Sequence, residues 1–172
     1  HQAGLPELTV TPSWDRASKS LKVTIDQTQK TDRWVPIFKL PIDVRVVEAG
    51  KTVMKRRFWI DEKNSDLVFP MERRPDFVEV DPKGWTPGKV SIKWSRKDAL
   101  HALEKGSTVV TRYRAARRLA HWIGDEVVAK KLAKQAALEG GWVGQRIAKT
   151  LGVNNTPEAL DGLLSLASHK AS

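Results

Sequence analysis

"VSIKWSRKDALHALEK", residues 90–105, contains the change of period on which the reading of the whole chain turns. Val90, Ile92 and Trp94 alternate with Ser91 and Lys93, the two-residue repeat of a half-buried strand. From Ser95 onward the repeat is helical. Ser95-Arg96-Lys97-Asp98 resembles a capped helix start with an acid at the third position, a looser form of the capping box. The helix predicted from it runs to about Lys105, and Gly106 stops it.

Upstream of this point the chain reads as strands. Leu8-Thr9-Val10 and Trp14 form one, ending in the turn-like "DRASKS" (residues 15–20). Leu21, Val23 and Ile25 alternate with Lys22, Thr24 and Asp26 in the next. In "VPIFKLPIDVRVV" (residues 35–47) Ile42, Val44 and Val46 alternate with Asp43 and Arg45. Pro36 and Pro41 withhold ladder donors, so they suit strand ends, bulges or an edge. Glu48-Ala49-Gly50-Lys51 reads as a hairpin turn into "TVMKRRFWI" (residues 52–60), and shorter strands follow at 67–69, 77–80 and 90–94. About seven closely spaced strands with no helix between them predict a mainly antiparallel β-sandwich over residues 1–95.

Downstream, residues 96–172 predict an all-α array. Ser107 or Thr108 caps a second helix, Asp125 starts a third, and Thr156-Pro157-Glu158 starts the last with Pro at its first helical position. A shift of 32 residues lays Ala116 on Ala148, Leu119 on Leu151, Glu126 on Glu158, Val128 on Leu160 and Leu132 on Leu164. A period of this length built from two helices predicts HEAT-like hairpins, here about two repeats. "GGWVG" (residues 140–144) reads as a turn between paired helices, with Trp142 as its packing anchor.

Composition sets wide bounds. The 172 residues are 40% hydrophobic and 29% charged, a globular balance that permits a core. Seven tryptophans against one tyrosine predict aromatic anchors in packed layers. The net charge of +10 permits an acidic partner or nucleic acid, yet it is not concentrated. Residues 1–106 hold 20 Lys/Arg against 15 Asp/Glu, and residues 107–172 hold 10 against 5. The absence of cysteine excludes disulfides, thiolate metal sites and a Cys nucleophile. No apolar run approaches the roughly 18–20 residues of a membrane span. The opening at His1 without methionine, and without a visible signal peptide, reads as that of a piece of a longer protein. The compartment is not determined.

"TRYRAARRLAHW" (residues 111–122) holds four arginines in eight residues. On a helical wheel Val109, Ala116, Leu119, Ala120 and Ile123 share one face, and Arg114, Arg117 and Arg118 lie opposite as a solvated surface. Arg112 falls within the apolar face, placed to bury its stem and reach a carbonyl or carboxylate on the adjacent helix. No aromatic residue is interleaved with the outer arginines, and the strand half shows no basic-aromatic platform, so nucleic acid is disfavoured. "MKRRF" (residues 54–58) and "ERR" (residues 72–74) are basic spots of the strand half, and Asp61-Glu62 with Asp66 read as an acidic loop. No G-x-S-x-G elbow and no phosphate loop is present.

The order of these features resembles one family. "GLPEL" (residues 4–8) opens a strand; another runs on to Gln27 and Gln29; "FKLPIDVRVV" (residues 38–47) precedes a Gly turn; "FVEVDPKGW" (residues 77–85) leads to a last strand; and "RYRAARRLA" (residues 112–120) lies in the helices. This is similar to the region downstream of the catalytic domain in aminopeptidase N-type zinc metallopeptidases. The resemblance implies a small β-sandwich that braces a catalytic domain, followed by a helical superhelix that shapes access. It implies zinc in that other domain, with N-terminal residues removed from peptides. The family's HExxH pattern is absent, since His1, His101, His121 and His169 are never four apart, and so is its Gly-x-Met-Glu-Asn motif. Asp81 and Trp85 match the closing motif as structural residues. No catalytic, cofactor-binding or metal-binding residue is therefore expected, nor any cofactor in this chain. The expected partners are the catalytic domain of the same polypeptide and a protein bound through the helical array, with no membrane. Two alternatives remain: an interaction scaffold of inactive aminopeptidase-like architecture, and a basic nucleic-acid-binding module.

Overall fold

The computed structural model describes residues 4–31, 35–122, 124–153 and 157–169. The chain divides into two compact units, His1–Trp94 and Ser95–Ser172. The first is strand-rich and the second is helical.

The strands are β1 (Glu7–Asp15), β2 (Ser20–Gln27), β3 (Leu40–Glu48), β4 (Lys51–Ile60), β5 (Asn64–Pro70), β6 (Phe77–Val80) and β7 (Lys89–Ile92). They form a four-stranded sheet in the order β5-β2-β1-β7 and a three-stranded sheet in the order β4-β3-β6. Alternation does what the sequence predicts: Leu21, Val23 and Ile25 are buried, as are Ile42, Val44 and Val46. Val47 is buried next to Val46 because the β3–β4 register shifts there, and such a bulge turns two successive side chains inward. The β3–β4 hairpin turns through Ala49 at φ 48° and Gly50 at φ 72°, the pair of positive angles that matches the twist of the flanking strands. Pro41 sits where β3 is paired on one side only, since the β6 ladder begins at Val44.

One pairing departs from the antiparallel expectation. β7 runs parallel to β1, with Leu8 opposite Val90 and Val10 opposite Ile92. A hairpin would force antiparallel pairing, but β7 arrives from β6 in the other sheet and is free to enter in the opposite sense. Gly88 permits the approach: at φ 109°, an added Cβ would stand 2.1 Å from the Pro6 carbonyl oxygen. Trp94, fully buried, follows β7 and donates its indole N–H to the Val78 carbonyl of β6 at 2.8 Å, so the two sheets are tied there. Phe58 of β4 and Phe69 of β5 meet with ring centroids 5.5 Å apart. Buried Gln27 satisfies both ends of its amide on the Phe38 and Glu62 carbonyls and the Phe38 N–H.

The helices are α1 (Arg96–Lys105), α2 (Val109–Leu119), α3 (Glu126–Ala136), α4 (Gly141–Leu151) and α5 (Pro157–His169). Ser95, Thr108 and Asp125 cap the first three by accepting the N–H groups of Asp98, Thr111 and Val128. α1 packs on α2, α2 on α4, and α3 on α5. Thr150 of α4 donates to the Ala116 carbonyl of α2 at 3.0 Å, and the Arg146 guanidinium reaches the Tyr113 hydroxyl at 2.7 Å. "GGWVG" is not a turn. Gly141 opens α4, and Trp142 is 73% exposed rather than an anchor.

The repeat also needs correction. Across α2 and α4 the 32-residue shift holds: Leu119 and Leu151 are both buried, and Ala116 is buried where Ala148 is half-buried. Across α3 and α5 it fails. Val128 and Leu132 are fully buried, whereas Leu160 and Leu164 are 58% and 60% exposed. The link from α4 to α5 is one residue shorter than that from α2 to α3, so the register becomes 31 and Ala159 takes the buried place matching Val128. One residue is about 100° of helix, enough to carry Leu160 and Leu164 away from the buried face.

Two outcomes follow for equilibrium urea unfolding. Leu132→Ala should cost about 2–5 kcal/mol, whereas Leu164→Ser should stay within about 0.5 kcal/mol of the parent. Comparable losses at both positions would contradict the 31-residue register.

Candidate functional site

The strand-rich unit carries a cleft of about 150 Å³ whose lining includes Pro41, Asp43, Arg57, Asp81, Trp85 and Pro87. Asp43 of β3 and Arg57 of β4 face each other across the ladder. The Arg57 guanidinium binds the Asp43 carboxylate through two hydrogen bonds of 2.6 and 3.0 Å. That bond, together with the charges of Arg57, Lys55 and Lys83, holds the Asp43 carboxyl below its ordinary value, outweighing the effect of burial.

The third side is built by "DPKGW". Asp81 takes φ 48°, a left-handed conformation that Asp tolerates. Its N–H donates to the Asp43 carbonyl at 2.8 Å, and its carboxylate accepts the N–H groups of Trp85 at 2.8 Å and Thr86 at 3.3 Å. The turn presents the Trp85 ring with Arg57 at 5.8 Å and Lys83 at 4.5 Å from its centroid. Two strand positions after Arg57, on the same β4 face, the exposed Trp59 ring has the Lys39 ammonium 5.9 Å from its centroid. Trp59 and Trp85 are 62% and 64% exposed.

Two expectations are corrected by this arrangement. The tryptophans are not mainly core anchors: Trp94 is fully buried, Trp14 and Trp122 are half-buried, and Trp59, Trp85 and Trp142 face outward. Trp34 lies outside the described residues. A basic-aromatic platform does exist in the strand half, because β3, β4 and the Asp81 turn gather cations and rings that are far apart in sequence. Alternation alone could have put Arg57 and Trp59 on one face; it could not have brought Trp85 to them.

In the helical unit Arg112 behaves as its place on the wheel requires. It hydrogen-bonds the Gly106 carbonyl at 3.1 Å and pairs with Glu139, which lies just past α3 rather than within it. The outer arginines are less uniform than expected. Arg117 is exposed, Arg114 is half-buried, and Arg118 lies 5.1 Å from the Trp122 ring centroid, where burial pushes its guanidinium down from its ordinary value. Val109, expected on the apolar face, is exposed, and Ile123 lies outside the described residues.

Asp66 is not in a loop. It belongs to β5, where hydrogen bonds from Lys22 and then Thr24 lower its carboxyl below the ordinary value. Glu72 of "ERR" pairs with Lys19 at 2.6 Å. His101 lies on α1 and His121 just after α2; His1 and the His169 side chain lie outside the described positions. Among the described residues no group of three or more His, Cys, Asp or Glu side chains is placed to hold a metal. No helix among them is long and apolar enough to cross a membrane. In the cleft the Asp43 carboxylate and the Arg57 guanidinium are committed to each other.

No protein-family model matches the chain. No curated protein matches it either. The likeness that exists is one of fold. The crystal structure of aminopeptidase A from Legionella pneumophila, in complex with aspartic acid, superposes with a TM-score of 0.60 at 15% identity. The match covers 98% of this chain and 23% of that one, so the chain spans about a quarter of the length of the aminopeptidase it resembles. This supports an aminopeptidase-like fold.

The Asp43–Arg57 pair should appear in the pH dependence of stability. A carboxyl that titrates below 3.8 in the native state adds stability above that value and loses it as pH falls through the lower native value. Asp43→Asn should therefore lower the urea midpoint at neutral pH, and the gap to the parent should narrow as pH falls below 3.8. A gap constant with pH would contradict an ionised, paired Asp43.

Proposed function

We infer that this chain is a non-catalytic structural portion of a zinc aminopeptidase-like protein. The observation that supports this reading is the fold match over nearly the whole chain, which includes both the strand-rich and the helical unit. On this reading the two sheets form a β-sandwich that braces a catalytic domain elsewhere in the polypeptide. The helices form a HEAT-like array that narrows access to it. Zinc and the hydrolytic residues belong to that other domain, whose partners here are side chains of the sandwich surface rather than substrate. The chain's own contribution is positioning: rigid strands carry paired charges and exposed tryptophans suited to burial against a neighbour.

The test is the full reading frame. The complete protein, expressed with any domain that adjoins this segment, should release 4-nitroaniline from amino-acid 4-nitroanilides, lose that activity to a zinc chelator, and regain it with added zinc. The 172-residue chain alone should release none. A complete protein with an adjoining aminopeptidase-like domain but no hydrolysis would leave the scaffold role in place of the enzymatic one. An open reading frame without such a domain would overturn the proposal.

A further inference from the structure

We propose that the free edge of β4 is a docking site for an extended acidic peptide segment, which adds to the three-stranded sheet as a fourth strand. This inference does not depend on the aminopeptidase reading.

The first observation concerns the backbone. β4 spans ten residues and pairs with β3 alone; among the described residues no strand lies on its other side. Every second residue of β4 therefore turns an N–H and a C=O away from β3, where no strand takes them up. A long row of such groups is a template for another strand. Most of its side chains are exposed.

The second observation concerns charge. β4 carries Lys51, Lys55, Arg56 and Arg57, with no acid among its ten residues. Lys39 and Lys83 add to the same surroundings through their contacts with Trp59 and Trp85. The acids nearby are Asp43, held by Arg57; Asp61, 4.0 Å from Lys39; Glu48, opposite Lys51 in the ladder; and Asp76, which accepts the Gly50 N–H of the hairpin turn. Positive charge along a free edge selects its occupant. A second copy pairing through β4 would set lysines and arginines against their own kind, which disfavours self-association. An extended segment with carboxylates at alternate positions meets complementary charge, and its intervening apolar residues meet the exposed ring of Trp59 on one face or Phe58 on the other. The main-chain bonds supply affinity and the charges supply selection.

The experiment uses the intact chain and a decapeptide of alternating Glu and Val, together with the same peptide N-methylated at every second residue. Hydrogen exchange and titration calorimetry are the readouts. Binding should slow amide exchange within residues 51–60, the N-methylated peptide should not bind, and Lys55→Glu with Arg56→Glu should weaken binding by about tenfold or more. Binding that survives N-methylation would mean a purely side-chain attraction and would overturn strand addition. So would protection that falls elsewhere, no binding of the decapeptide, or binding of oligo-dT in its place. If the double charge reversal were to unfold the chain, the N-methylated peptide would still decide the question on the unaltered protein.

Discussion

The strand-rich unit depends on the parallel ladder between β1 and β7. These strands are separated by most of the unit's sequence, and their pairing fixes the last strand against the first. The ladder is possible because Gly88 has no side chain to strike the Pro6 carbonyl, and it continues as the Lys93 N–H donates to the Val10 carbonyl at 2.7 Å. Trp94 comes next and uses its indole N–H on the β6 carbonyl of Val78. One short stretch thus completes the four-stranded sheet and ties it to the three-stranded one.

Around that closure the buried polar groups are matched. Glu79 is fully buried but pairs with Arg45, its in-register neighbour on β3, at 2.9 Å. Gln27 holds the ends of three segments through one amide. Asp81 spends its carboxylate on the turn that displays Trp85. In the helical unit the corresponding work falls to ion pairs between elements: Arg96 with Asp125, Lys131 with Glu104, and Arg112 with Glu139. Exposed rings, cations and the unpaired outer side of β4 are left on the surface of the strand-rich unit.

Much of this was legible in the residues. The period-2 runs marked the strands, Ser95 marked the first helix, and Arg112 on an apolar helix face predicted its partners in kind. The residues that misled did so for identifiable reasons. Trp142 read as an anchor because tryptophan is usually buried, but the helix that begins at Gly141 turns it outward. Leu160 and Leu164 matched buried counterparts by spacing, but a connection shorter by one residue rotated them away. The Trp59–Arg57–Trp85 surface was invisible because Trp85 reaches it only through the left-handed turn at Asp81.

What the sequence by itself determined was the local part of the structure: which stretches are strands, where helices begin, and that no metal or nucleophile motif is present. Those features arise from interactions within a few residues, where periodicity, caps and turn chemistry act directly. The tertiary structure alone decided that β7 runs parallel to β1, which tryptophans are exposed, how α5 is rotated, and which strands lie at the sheet edges. Each of these depends on pairing between distant segments, and the physical terms that settle it, such as close approach at Gly88 or one residue of connection length, leave no periodic trace in the chain.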